Sequence, residues 1–319
     1  MPTRASDATN APAVVGDPRA TIVNTRRGPV ECAVSGEGPA VLALHGAMGG
    51  YDQGLLLART VGAPGFRYVA ISRPGYLGTS LALGKTPEEQ ADLYRDVLDA
   101  LGIHEVAVMA VSGGGPSALQ FALSHADRCW GVVVVSSVCS KNEVRLPLGW
   151  YLMPLTARIG PLVAAMRRKV ARDPERAASR SIADPVLRAR TVRDPEVGPL
   201  LQALQLSTLD RMPRRLSGTS NDVATTRRDL WLDLERLAVP ALVVHGTQDR
   251  VAPFAQGKAM AARIPGAELL AIEGGDHVAI FTHRDQARAR VTRFLLAHAP
   301  SAERRGSPHV SVPRQPAPL

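Results

Sequence analysis

The sequence predicts an α/β protein built on a mostly parallel sheet with helices on both faces. Three features carry that expectation. Eight short apolar runs, several of them β-branched at successive positions, suit strands buried on both sides. Segments of helical periodicity separate the later runs. One long stretch, from about Ser140 to Leu237, holds no convincing strand and interrupts the alternation.

Taken in order, strands are expected near Ala20–Asn24, Val30–Val34, Ala40–Leu44, Tyr68–Ile71, Val106–Val111, Val132–Val135, Ala241–Val244 and Leu269–Ile272. The clearest helix runs from Pro87 to Leu101. Thr86 can cap it, Pro87 fits its first turn, Glu89 completes a capping box and Gly102 suits its stop. Leu93, Tyr94, Val97, Leu98 and Leu101 share one face. Further helices are expected at Pro116–Ser124, Pro253–Ala262 and His283–Ala297. Early strands without helices, followed by strand–helix alternation, predict that a β-meander leads the sheet.

The strandless stretch carries Asp173-Pro174, Asp184-Pro185 and Asp194-Pro195. Proline disfavours helix at the residue before it, so each pair closes one element and starts another. The stretch therefore reads as several short helices set between two strands, over the carboxyl ends where α/β proteins bind ligands. The organisation expected is a flexible N-terminal tail (1–19), an α/β core in two pieces (20–139 and 238–299), a helical insertion (140–237) and a disordered C-terminal tail (300–319).

Composition bounds function. The net charge is +9 over 319 residues, which raises the question of a polyanionic partner. The basic residues are 34 Arg against 4 Lys, a skew that coding bias alone produces, and aromatics at 4% leave little for base stacking. Nucleic acid is therefore not an expected partner. Cys32, Cys129 and Cys139 are too few and too scattered for a disulfide framework or a zinc site, and read as buried reduced thiols of a cytoplasmic protein. No apolar core of signal-peptide length opens the chain, and Arg158 interrupts the nearest approach to a span, Leu146 to Val163, so stable membrane insertion is not expected.

The chemistry concentrates at Val106-Ala107-Val108-Met109-Ala110-Val111-Ser112-Gly113-Gly114-Gly115-Pro116. A buried strand runs into Ser112, glycines follow, and a helix starts near Pro116. A nucleophilic serine stands on such a strand-to-helix turn and needs small neighbours two residues either side; here they are Gly114 and Ala110, the latter where glycine is usual. Gly113-x-Gly115-x-x-Ala118 also fits a dinucleotide fingerprint, but the next strand ends in Ser136-Ser137 with no ribose-binding acid, so that reading is set aside. His45-Gly46-Ala47 closes the third strand, and the Ala47 amide can complete an oxyanion hole with that of Gly113. Asp249 follows the strand ending in His245-Gly246-Thr247-Gln248, and His277 follows Gly274-Gly275-Asp276 after the last strand.

The order Ser, Asp, His, with Leu44-His45-Gly46, Ser72-Arg73-Pro74-Gly75-Tyr76-Leu77-Gly78-Thr79-Ser80, His245-Gly246-Thr247-Gln248-Asp249 and Gly275-Asp276-His277, resembles the α/β-hydrolase fold family over about residues 20 to 298. The resemblance implies an eight-stranded sheet with a helical cap inserted after strand six. A serine at the elbow argues against the dehalogenase and epoxide-hydrolase branches, which place an aspartate there.

On this reading Ser112 is the nucleophile, His277 its base and Asp249 the orienting acid, with Ala47 and Gly113 as backbone donors. Rivals are His283 for the base and Asp276 or Glu143 for the acid; His45 reads as a loop-positioning residue, and no metal or organic cofactor is implied. The expected reaction is hydrolysis of a small, mostly apolar carboxylic ester through an acyl-enzyme. Hydrolysis of a carbon–carbon, lactone or amide bond, cofactor-free haloperoxidase chemistry, and a hydrolase-like receptor for a small molecule are the alternatives. Trp150, Tyr151 and Met153, in the apolar run Leu146 to Val163, are the expected substrate-pocket residues. The cap is basic, with 17 Lys and Arg against 11 Asp and Glu from Ser140 to Glu235, densest at Arg167-Arg168-Lys169 and Arg214-Arg215. A solvated helix face, an anion site and attraction to anionic lipid are the readings open for it.

Overall fold

In a computed structural model, which describes residues 19–146, 148–228 and 230–300, all eight apolar runs form strands. They are β1 (Thr21–Thr25), β2 (Gly28–Ser35), β3 (Ala40–Leu44), β4 (Arg67–Ile71), β5 (Val106–Val111), β6 (Cys129–Val135), β7 (Ala241–Gly246) and β8 (Glu268–Ile272). They join in one sheet of order β1-β2-β4-β3-β5-β6-β7-β8. β1 and β2 pair antiparallel, as do β2 and β4; every other pair is parallel.

The leading meander is thus only partly formed. β2 skips β3 and pairs with β4, because a helix the sequence reading did not anticipate, α1 (Tyr51–Val61), joins β3 to β4 as a parallel crossover. Gly54 in mid-helix obscures its propensity. Packing requires that glycine: a Cβ there would stand 2.7 Å from the Ala43 carbonyl oxygen and 2.9 Å from the Ala70 Cβ.

Alternation along the strands sorts the core into two layers. Val106, Val108 and Ala110 of β5 face α2 (Pro87–Ala100) and α3 (Gly115–Ser124), where Leu93, Val97, Leu119 and Phe121 are buried. Ala107 and Met109 face the other way, toward Leu57 and Val61 of α1. The start of α2 is built as expected: Thr86 Oγ1 accepts from the Glu89 amide and Glu89 Oε2 from the Thr86 amide.

Between β6 and β7 the described residues form six α-helices and no strand: α4 (Leu148–Thr156), α5 (Gly160–Arg172), α6 (Pro174–Ala178), α7 (Pro185–Arg193), α8 (Val197–Ser207) and α9 (Leu216–Arg227). Each Asp-Pro pair acts as expected. Asp173, Asp184 and Asp194 each accept backbone N–H groups of the turn that follows. After β7 come α10 (Phe254–Arg263), α11 (Ala279–Thr282) and α12 (Arg284–His298). Apart from residues 19 and 300, the expected tails lie outside the described residues.

The helical insertion is fastened to the sheet at α9. The Gly218 amide donates to the Gly75 carbonyl at 2.9 Å and the Leu77 amide to the Arg214 carbonyl at 2.7 Å. Backbones meet closely there: Gly75 is left-handed (φ +84°), and a Cβ on Gly218 would stand 2.2 Å from the Tyr76 ring. Gly218→Ala is expected to cost about 1–3 kcal/mol through this overpacking, read as a lower urea midpoint with an unchanged slope.

Candidate active site

β5 ends at Val111, and Ser112 takes a left-handed conformation (φ +52°) before the chain turns into α3. Such a φ in a non-glycine residue holds backbone strain and projects the hydroxyl off the end of the sheet. The neighbouring glycines make room. A Cβ on Gly114 would stand 2.7 Å from the His45 carbonyl oxygen, and one on Gly46 3.0 Å from the Ser112 Cβ. Ala110 is buried in β5 with its methyl in the core, so the sheet accommodates an alanine where glycine is usual. Ser137 Oγ donates to the Ser112 carbonyl at 2.6 Å and braces the turn from β6.

The structure brings together the three side chains drawn from separate strand ends. His277 Nε2 lies 3.1 Å from Ser112 Oγ, and His277 Nδ1 lies 2.8 Å from Asp249 Oδ2. The buried Asp249 accepts from the Val251 and Ala252 amides with its other oxygen, at 2.8 and 2.9 Å. A carboxylate facing Nδ1 makes that nitrogen the donor and leaves the Nε2 lone pair aimed at the serine hydroxyl. The rivals stand elsewhere. Glu143 is exposed and pairs with Lys141, Asp276 accepts from the Val278 amide, and His283 bonds Thr282 Oγ1. Burial raises the Asp276 pKa, with the Asp249 charge adding to it.

Gly113 and Ala47 face each other across the elbow: a Cβ on Gly113 would stand 3.5 Å from the Ala47 nitrogen. Both border a cavity of about 290 Å³ that also exposes Ser112. Met48, next to Ala47, is left-handed (φ +56°), and its amide donates to Thr219 Oγ1 on α9 at 2.9 Å. Thr219 in turn donates to the Arg215 carbonyl at 2.6 Å.

His45 lies wholly buried behind this loop. Its Nδ1 donates to the Gly46 carbonyl at 2.7 Å, and its Nε2 accepts from the Arg73 amide at 3.0 Å. Only the neutral ring does both. Burial, and then the Arg73 charge, push the His45 pKa well below the usual histidine value. The Arg73 guanidinium donates to the His45 carbonyl at 3.0 Å and to both carboxylate oxygens of Asp222 on α9, and Tyr76 donates its hydroxyl to Asp222 Oδ2 at 2.5 Å. Sequence reasoning marked the Arg73-Pro74-Gly75 turn and missed Asp222 and Thr219, which have no local motif around them.

The expected pocket residues need correction. The cavity beside Ser112 is lined by residues 142–146 and by α9, not by Trp150, Tyr151 or Met153. Tyr151 is 63% exposed, and Met153 packs against Ala157, Leu209 and Met212. The chain instead borders the pocket with Asn142, Val144, Arg145 and Leu146, a strap without regular secondary structure ahead of α4. Among the described residues no group of three His, Cys, Asp or Glu side chains is placed to hold a metal ion, and no helix is long and apolar enough to cross a membrane.

Proton linkage follows from His45. The unfolded chain takes up a proton below pH about 6.5 that the buried ring refuses, so stability falls as pH falls through that value. The loss approaches about 1.4 kcal/mol per pH unit. Denaturant titrations at pH 7.5 and 5.0 are expected to show this slope, and His45→Gln to flatten it. His245, whose pKa burial also lowers, keeps some of it.

Residues 39–284 match the family model described as alpha/beta hydrolase fold. An alpha/beta hydrolase fold protein from Nakamurella multipartita superposes with a TM-score of 0.76 at 36% identity, covering 88% of this chain and 99% of that one. An uncharacterized hydrolase of Bacillus subtilis is 24% identical over 260 residues, 79% of this chain and 89% of the relative. A pimeloyl-[acyl-carrier protein] methyl ester esterase of Xanthomonas campestris is 42% identical over 71 residues, 22% of this chain and 28% of its own.

Proposed function

The chain belongs to the alpha/beta hydrolase fold family, and from that premise we propose that it is a serine hydrolase cleaving a small carboxylic ester through an acyl-enzyme. The observation that carries the reading is the continuous relay Ser112 Oγ to His277 Nε2 and His277 Nδ1 to Asp249, at 3.1 and 2.8 Å. Nδ1–H is committed to the carboxylate, so Nε2 has one task, to take the hydroxyl proton.

In the reaction, Ser112 Oγ attacks the substrate carbonyl carbon as its proton passes to His277 Nε2. The negative charge moves to the carbonyl oxygen, which the amides of Gly113 and Ala47 receive, aided by the positive end of α3. Collapse expels the alkoxide, which takes the proton from His277, leaving Ser112 acylated. A water then gives its proton to His277, attacks the acyl carbon, and the acid departs as Ser112 regains its proton. No cofactor enters this sequence. Residues 140–237 act as the cap over a core of 20–139 and 238–299. A cytoplasmic location fits three buried, unpaired cysteines. The local likeness to a methyl ester esterase is one support for an ester bond.

A fluorophosphonate probe is expected to label Ser112. Ser112→Ala should abolish turnover of p-nitrophenyl acetate and butyrate, and Asp249→Asn should lower kcat about 10⁴-fold. Folded wild-type protein that takes no label refutes the reading and leaves a ligand-holding receptor.

Thr219 supplies a second test. Replacing it with Val removes the acceptor of the Met48 amide and frees the left-handed turn that aims Ala47. The expected result is a fall in kcat of about 10²-fold, the scale of one oxyanion donor, with KM little changed and Thr219→Ser restoring the rate.

A further inference from the structure

The cavity beside Ser112 has an uneven lining. Val138, Val144, Val223 and Val251 make its walls apolar, yet Arg145 and Arg250 stand at its mouth. Both are exposed, and neither has an ion-pair or hydrogen-bond partner among the described residues. The two fully buried arginines are engaged, Arg73 against Asp222 and Arg215 against Asp52. The third arginine of the mouth, Arg227, donates to the Val144 carbonyl at 3.1 Å and so holds the strap that carries Arg145. Asn142 completes the fastening, donating to the Val251 carbonyl at 2.9 Å. Strap and Asp249 loop are thus tied together, which keeps Arg145 and Arg250 on one rim.

Deeper in the same cavity lies Ser136, directly after β6. It is 1% exposed, its backbone is left-handed (φ +44°), and its hydroxyl has no partner. A buried hydroxyl without a partner on a strained residue calls for an explanation, and a ligand atom in the cavity supplies one. The one carboxylate on the wall, Asp222, is neutralised by Arg73 behind it. The field inside is therefore positive toward the mouth.

We propose that the substrate is a carboxylate-bearing ester. Its scissile carbonyl sits at Ser112, a polar atom of its chain takes the Ser136 hydrogen bond, and its distal carboxylate is held between Arg145 and Arg250. A guanidinium fork matches a carboxylate in shape as well as charge. A cavity of about 290 Å³ limits the ligand to a short chain. This assignment rests on the reading of Ser112 as nucleophile.

The test compares mono-p-nitrophenyl glutarate with the near-isosteric, neutral p-nitrophenyl valerate on the full chain, with fluorophosphonate labelling alongside. For wild type, kcat/KM is expected to favour the glutarate by about tenfold at low ionic strength, and the advantage to shrink as salt screens the rim. In the Arg145→Gln/Arg250→Gln double variant the ratio of the two esters should fall to about one. Ser136→Ala should raise KM for the glutarate several-fold. Labelled wild type that turns over valerate as well as glutarate, or a double variant that keeps the preference, overturns the carboxylate site alone. An unchanged KM in Ser136→Ala removes that hydroxyl from it. Wild type that is neither labelled nor active on either ester overturns this inference and the serine-hydrolase reading together.

Discussion

The site depends on one buried ion pair that joins the insertion to the sheet. Asp222 comes from α9, Arg73 from the turn after β4, and both are withdrawn from water. Desolvating two charges costs several kcal/mol per ion, recovered only where each remaining donor and acceptor is satisfied. Here they are. Arg73 spreads its donors over Asp222, Gln90 and the His45 carbonyl, and Tyr76 adds its hydroxyl to the same carboxylate. Burial works against the Arg73 charge, and the adjacent Asp222 outweighs it. The consequence reaches the chemistry, because the residues so held carry the loop of Ala47 on one side and touch Gly113 on the other: a Cβ on Gly113 would stand 2.8 Å from Asp222 Oδ2.

What the chain revealed before its structure follows from how local each constraint is. The elbow was legible because a serine with small residues two positions away on each side, Ala110 and Gly114, satisfies steric demands within a few residues. Asp249 and His277 were legible because each stands just past a buried β-branched strand that periodicity exposes. Thr219 and Asp222 were not. They sit on a helix with no clear apolar face, and their partners Met48 and Arg73 lie 171 and 149 residues away in sequence. α1 was missed because the glycine that lets it approach the sheet also weakens its helical signal. The apolar run after residue 146 misled for a related reason. Hydrophobicity indicates that a segment has apolar side chains, not which surface they cover, and Tyr151, Leu152 and Leu155 remain exposed on the insertion.

The net charge of +9 also resolves into separate parts. Of the densest basic clusters, Arg214-Arg215 contains a side chain with no exposed surface, bound to Asp52 and to the Asp210 carbonyl. Lys169, with Arg176 and Arg180, borders a different cavity of about 430 Å³ that shares no lining residue with the one beside Ser112. A sum over the sequence merges cations that hold the fold, cations that border a separate hollow and cations that line the cavity beside Ser112. Only their placement separates electrostatics that bears on substrate from electrostatics that does not.

Because β6 and β7 are hydrogen-bonded neighbours, the whole insertion is, for the sheet, a loop between adjacent strands. The entropy of closing a loop grows only with the logarithm of its length. Extending a tight connection to one on the order of 100 residues adds roughly 2–3 kcal/mol. The sheet, and the strand ends that hold Ser112, Asp249 and His277, are therefore nearly indifferent to how long an insertion they carry. They are not indifferent to its composition where it touches them. Any segment exchanged into this position during divergence or recombination must still bring an anion to Arg73 and an acceptor to the Met48 amide, which makes the insertion a replaceable module with a few obligatory fittings.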